Sequence, residues 1–408
     1  MSARVSDPGM HTPLASPARS APRPATWPVV ASGVLALAVA MGIGRFAFTP
    51  LLPLMLRDGT LTAEAGAEWA AANYLGYLAG ALTAGRFSGN PGRGLAASLA
   101  GVALTTLAMA LAGAPAPALL GTALRAAAGL FSAWALVCAS SWCLAALARG
   151  GAGRLGAWIY TGVGLGIALA GALAWLGGRQ PAARLWLELG GLAVAGVLLA
   201  GFLARGADAI PAGTPEREAA AVARGAADGQ GALILCYGLF GFGYIVPGTF
   251  LPAMARDLAP DPLVFGLAWP LFGLAAILSV AGAARYLAAV PRRRLWAAAQ
   301  GLMALGTALP VAIHALWAVA ASALLVGGTF MIATMAGLQL AREARPDDPT
   351  PLLARMTAAF AAGQIAGPLA VRAFGAGGGD GLGPTGAVAA SLLGLSALWL
   401  WRAGRRPV

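Results

Sequence analysis

Residues 42–58 read GIGRFAFTPLLPLMLRD, and residues 241–257 read GFGYIVPGTFLPAMARD. Seven of the seventeen aligned positions are identical: Gly42/Gly241, Gly44/Gly243, Leu52/Leu251, Pro53/Pro252, Met55/Met254, Arg57/Arg256 and Asp58/Asp257. The same offset carries Ala84, Arg86 and Phe87 onto Ala283, Arg285 and Tyr286. An echo that keeps its register into a second apolar segment reads as a duplication of two halves, each of about 200 residues. A parallel repeat in an apolar chain is a plan used by secondary transporters.

Working outward, 59% of the chain is hydrophobic, 10% is charged and the mean hydropathy is +0.75. That balance excludes a soluble globular protein of this length, which would need far more polar surface. Apolar runs of about 20 residues, enough to cross a hydrocarbon core as helix, recur twelve times: at 28–56, 67–88, 95–113, 116–147, 155–177 and 185–204, then at 231–255, 263–287, 295–313, 315–339, 352–373 and 383–401. The runs are continuous rather than alternating, which favours helices over a barrel. The expected fold is all-α and polytopic, with twelve transmembrane helices in two pseudo-symmetric six-helix bundles. Residues 28–205 and 230–401 form the bundles, 206–229 a polar linker, and 1–27 and 402–408 the tails.

The 27 basic residues are all arginine and the net charge is +12. They concentrate in alternate loops: Arg86 with Arg93, Arg149 with Arg154, Arg205 to Arg224, Arg292 to Arg294 and Arg342 to Arg355. Positive residues are retained on the cytoplasmic side, so both termini are expected there, in a multi-pass protein of a bacterial inner membrane. This bias accounts for the net charge without nucleic-acid binding. Cys138, Cys143 and Cys236 read as small buried residues. His11 and His314 are the two histidines, so no metal site, cofactor or catalytic cluster is expected, and the chain does not read as an enzyme.

Charged residues inside apolar helices are costly unless they find a partner or line a cavity. Arg45 and Arg125 are the two clear cases. Counted at 1.5 Å per residue, they reach a similar depth on helices running in opposite directions. Two guanidiniums at one level suit a carboxylate or phosphate, which the planar fork binds bidentately. The alternative is that each ties helices together, through helix-end carbonyls or through Glu68 or Glu188. These two carboxylates are also the candidates for proton coupling, although both fall near helix ends. Asn73 and Tyr77 lie one turn apart, and with Tyr237, Phe240, Tyr244, Trp269 and Gln364 they mark candidate cavity faces. Pro53 and Pro252 should loosen the outer ends of two corresponding helices.

The stretches GIGRFAFTPLLPLM at 42–55 and ANYLGYLAGAL at 72–82, with LRAAAGLFSAW at 124–134 and GVGLGI at 162–167, resemble the YbfB/YjiJ-type family of the major facilitator superfamily (MFS). The resemblance implies a central cavity between the bundles and alternating access by rocking. It also implies that helices one, four, seven and ten line the cavity, which puts Arg45, Arg125, Tyr244 and Phe330 on or near it. Arg125 and Gly129 resemble the superfamily's fourth-helix motif, whose arginine is often linked to proton coupling. Arg86 resembles the gating arginine after helix two, but Gly85 stands where an acidic residue is usual. Helix five has the glycines of an antiporter-like motif without its proline. The expected partners are the bilayer, a small organic solute and protons as coupling ion. An organic anion is the preferred cargo, and export of an amphipathic compound is the alternative.

Overall fold

The computed structural model describes residues 26–112, 118–205, 230–258, 268–375 and 381–403. The linker read at 206–229 and most of both tails lie outside them. Twelve helices occupy the described residues. In the first half they are α1 (Trp27–Arg57), α2 (Ala63–Thr83), α3 (Pro91–Ala108), α4 (Ala118–Arg149), α5 (Thr161–Leu176) and α6 (Ala182–Arg205). In the second half they are α7 (Gln230–Leu258), α8 (Ala268–Tyr286), α9 (Arg292–Ala312), α10 (Leu316–Ala344), α11 (Thr350–Gly375) and α12 (Leu382–Ala403). The expected short turn near 313–315 is present between α9 and α10.

Ten of these are long and apolar enough to span a membrane by length and composition alone. The other two, α2 and α11, carry the polar residues Asn73, Tyr77, Thr357 and Gln364, and they pack against each other across the two bundles. The second inter-bundle contact joins α5 to α8. The repeat maps α2 onto α8, so each bundle offers its corresponding helix to the other.

The glycines of the echoed segments act at helix crossings. A Cβ on Gly42 would stand 2.2 Å from Gly166 Cα of α5, and one on Gly241 would stand 2.2 Å from Phe360 O of α11. Backbone-to-backbone approach of this kind needs small residues, and in a bilayer it is a main source of helix association. The echoed Arg57–Asp58 pair anchors the C-terminal end of α1. Arg57 donates to the carbonyls of Gly178 and Gln180, and Asp58 Oδ2 accepts the Ala182 amide at 2.6 Å, capping α6 from outside its own chain segment.

Helix α1 is interrupted, but not where its prolines stand. It is α-helical over Trp27–Leu37, π-helical over Ala38–Ile43 and α-helical again over Phe48–Arg57. Pro50 therefore falls in the first turn of the final segment, where a missing amide costs nothing. Pro53, where loosening was expected, lies inside that final segment, and the break in α-helical geometry falls in the residues before it.

Candidate functional site

The interruption of α1 creates the site. The amides of Gly44 and Phe46 reach back five residues, to Val39 O at 2.9 Å and Met41 O at 3.1 Å. The Thr49 amide goes to Phe46 O at 3.2 Å, so it does not take the Arg45 carbonyl. Single π turns of this kind recur at functional sites because they re-aim a side chain and free backbone groups.

Arg125 of α4 fills the gap. Its Nη1 donates to Gly44 O at 3.3 Å and its Nη2 to Arg45 O at 3.4 Å, with the guanidinium carbon 4.6 Å from the centre of the Phe48 ring. The fork thus spans two successive carbonyls. Asn73 of α2 supports it from behind, donating through Nδ2 to Arg125 O at 3.0 Å. Gly129, one turn on, lets α2 and α4 close: a Cβ there would lie 2.1 Å from Asn73 O.

Arg45 points toward the other bundle. Its guanidinium carbon lies 3.9 Å from the centre of the Tyr77 ring, and Nη2 donates to Oε1 of Gln364 on α11. Both arginines are 3% exposed and Gln364 is fully buried. Arg45 Nε and Nη1, Arg125 Nε, Asn73 Oδ1, Tyr77 OH and Gln364 Nε2 are buried without a hydrogen-bond partner. The ion pairs among the described residues are Arg57–Asp58, Arg184–Glu188 and Arg292–Glu343, so neither membrane arginine is in one. Buried polar atoms left without partners are costly, and six of them lie on the residues around the two arginines.

On the opposite side the wall is aromatic. Tyr244 of α7 stacks on Phe330 of α10 at 5.1 Å and 15°, and both approach Phe360 of α11 or Phe46 of α1. Tyr237 packs at 5.5 Å from Phe240 and from Phe360. A cavity of about 20 Å³ remains at the centre, lined by Phe46, Tyr77, Tyr237, Tyr244, Phe330 and Phe360 among others. It is about large enough for one water molecule.

Of the residues singled out in the sequence, Tyr77, Tyr237 and Tyr244 line this cavity, Arg45 and Gln364 adjoin it through Tyr77, and Arg125 and Asn73 stand behind Arg45. It does not bring in the other candidates. Glu68 is exposed on α2, and Glu188 pairs with Arg184 at 3.2 Å on the same face of α6. Neither reaches the arginines, so the tie expected through them is not formed. Arg86 is exposed at the end of α2, 5.1 Å from the Trp134 ring, and Pro53 lies inside the final segment of α1. Pro252 lies in α7, and its side chain is outside those described. Phe360 and Phe46 were not singled out in the sequence. Their spacing could have found them, since Phe360 precedes Gln364 by one helical turn and Phe46 follows Arg45.

The profile of the family described as "uncharacterised MFS-type transporter YbfB" matches residues 37–400. The chain belongs to this family. It is therefore an MFS transporter and not an enzyme. Its fold is similar to that of the human organic anion transporter MFSD10 (TETRAN), with a TM-score of 0.69 and 16% identity over 92% of this chain and 100% of that one. It is equally similar to the proton:xylose symporter XylE bound to 6-bromo-6-deoxy-D-glucose, with a TM-score of 0.69 and 13% identity over 92% and 95% of the two chains. At those identities the likeness is one of fold. No curated protein matches the sequence.

Proposed function

We propose that this MFS transporter is a secondary active carrier of a small organic anion, which Arg45 binds between the two bundles. The observation that carries this reading is a buried guanidinium with two partnerless nitrogens and, among the described residues, no carboxylate paired with it. A buried charge without a counter-charge is strongly unfavourable, and an anionic cargo would relieve it at the point where the bundles meet. Arg45 already joins α1 to α11, so a cargo that takes over its N–H groups would compete with Gln364 and alter the contact between the halves. Bundles at 28–205 and 230–401, joined by 206–229, would then rock about that point with both termini in the cytoplasm of a bacterial cell.

Export of an amphipathic compound is the second reading. The aromatic wall favours it, together with an apolar cavity of about 260 Å³ at the outer end of the second bundle, lined by Val246, Pro247, Pro310, Val311 and Leu382 among others. Transport by the purified protein in liposomes separates the two. Uptake of a labelled carboxylate that Arg45→Gln abolishes supports the anion carrier. Movement of a hydrophobic cation that is indifferent to that change supports the exporter.

A further inference from the structure

The two halves of the duplicated site have diverged into opposite chemistries. At the repeat offset, Arg45 of the first half corresponds to Tyr244 of the second, and Asn73 corresponds to Phe272. The cation and its amide neighbour are thus replaced by rings. Those rings are not scattered. Phe272 stacks on Phe330 at 5.3 Å and 30°, Phe330 on Tyr244 at 5.1 Å and 15°, and Tyr244 lies tilted by 21° to Phe360 at 6.2 Å. They form a continuous set of near-parallel faces from α7, α8, α10 and α11.

The polar and aromatic parts adjoin. Phe46 bridges them, with its ring 5.6 Å from the Arg45 guanidinium carbon and 6.4 Å edge-on from Phe330. Tyr77, under Arg45, lines the same small cavity as Tyr244, Phe330 and Phe360. A ligand in this space would have its charged end against unpaired N–H donors and its body against aromatic faces. Near-parallel rings part to accept a flat third ring more readily than a bulky aliphatic body, and stacking adds to the area buried.

We infer that the cargo of this site is an aromatic carboxylate, its carboxylate held by Arg45 and its ring inserted among Tyr244, Phe330 and Phe360. This rests on the anion reading above and narrows it. The central cavity of about 20 Å³ is too small for a ring, so insertion requires the faces to part. Ring binding would thereby be tied to separation of Phe46 of the first bundle from Phe330 of the second.

The test is calorimetric binding to the full-length protein in lipid nanodiscs, with phenylacetate, its saturated counterpart cyclohexylacetate and its neutral counterpart phenylacetamide. Phenylacetate is expected to bind roughly three- to tenfold tighter than cyclohexylacetate, the range that aromatic pairing supplies, and phenylacetamide to bind far more weakly. Phe330→Leu, which keeps an apolar side chain of similar bulk, is expected to remove the preference for the ring, so that phenylacetate and cyclohexylacetate bind with equal affinity in the variant. Tyr244→Leu supplies the same comparison should Phe330→Leu fail to fold. Equal affinity for phenylacetate and cyclohexylacetate, or a preference that survives both substitutions, overturns the aromatic inference and leaves the anion reading standing. Equal affinity for phenylacetate and phenylacetamide, or no binding of any of the three, overturns both.

Discussion

Arg45 on the first helix donates a hydrogen bond to the side-chain oxygen of Gln364 on the eleventh, a buried link across 319 residues of chain and between the two bundles. Arg45 is thus at once the cation of the site and a clasp between the halves. Gln364 is neutral, so it satisfies a donor without neutralising the charge. An anion would do both.

Arg45→Gln is expected to weaken anion binding by about 2–5 kcal/mol, as loss of one partner from a buried charge-assisted pair does. The unfolding temperature of the ligand-free protein should change little, because loss of the Gln364 bond and the Tyr77 contact is offset by removal of a buried charge that pairs with no carboxylate among the described residues. Thermal unfolding with and without a carboxylate checks both halves of the statement. Loss of stability with intact binding would make Arg45 a structural tie.

Arg125→Gln should behave in the opposite manner. It strips the fork from Gly44 O and Arg45 O, leaving carbonyls of an interrupted helix without that donor, at about 1–3 kcal/mol for each buried group left unsatisfied. The ligand-free protein is expected to melt earlier, and Arg125→Lys to recover part of the loss with one carbonyl bonded. An unchanged melting curve would show that Arg125 is not what holds the turn.

Gly129→Ala places a methyl group 2.1 Å from Asn73 O. The neighbour is backbone, so α2 and α4 must move apart, and strain of this type costs about 1–3 kcal/mol. Because Asn73 also holds Arg125, binding should weaken along with stability. Gly85→Ala, with open space around it, is the matched control and should change neither.

The Ser141 hydroxyl lies 3.0 Å from that of Thr350, joining α4 to α11 near the ends read as cytoplasmic. If the bundles rock, this contact must open in each cycle. Ser141→Cys with Thr350→Cys, in a background with Cys138, Cys143 and Cys236 replaced by alanine, is expected to crosslink under mild oxidation. Liposome uptake should then stop and resume on reduction. Uptake that persists in the fully crosslinked protein would remove this contact from the moving interface.

Glu188→Gln removes a part-exposed i,i+4 pair with Arg184, whose contribution is about 0.3–0.5 kcal/mol. Neither uptake nor its pH dependence should change. A proton-driven uptake that disappears in this variant would make Glu188 the coupling residue despite its distance from the arginines.

The twelve helices could be read from the chain because the bilayer leaves so little choice. A run of about 20 apolar residues must satisfy its own backbone, and helix does so within the segment. The echo of Gly42–Asp58 in Gly241–Asp257 exposed the duplication for a similar reason, since both copies meet the same crossing and need the same small residues. Arg45 and Arg125 were legible as exceptions to an apolar background. Their separate roles were not. Arg125 is fastened to carbonyls 80 and 81 residues away that only the π turn frees, and Arg45 meets a glutamine in the other half. Hydropathy contains no term for an i→i+5 bond or for which helix faces another. The same holds for the rings of Tyr244, Phe330 and Phe360, which come from three helices and look like ordinary membrane aromatics one at a time. Local composition and the solvent therefore determined which segments are helices. Only the packing of those helices decided which guanidinium is tied to backbone carbonyls and which reaches a side chain of the other bundle, because partners that lie 80 to 319 residues apart meet only when the helices pack.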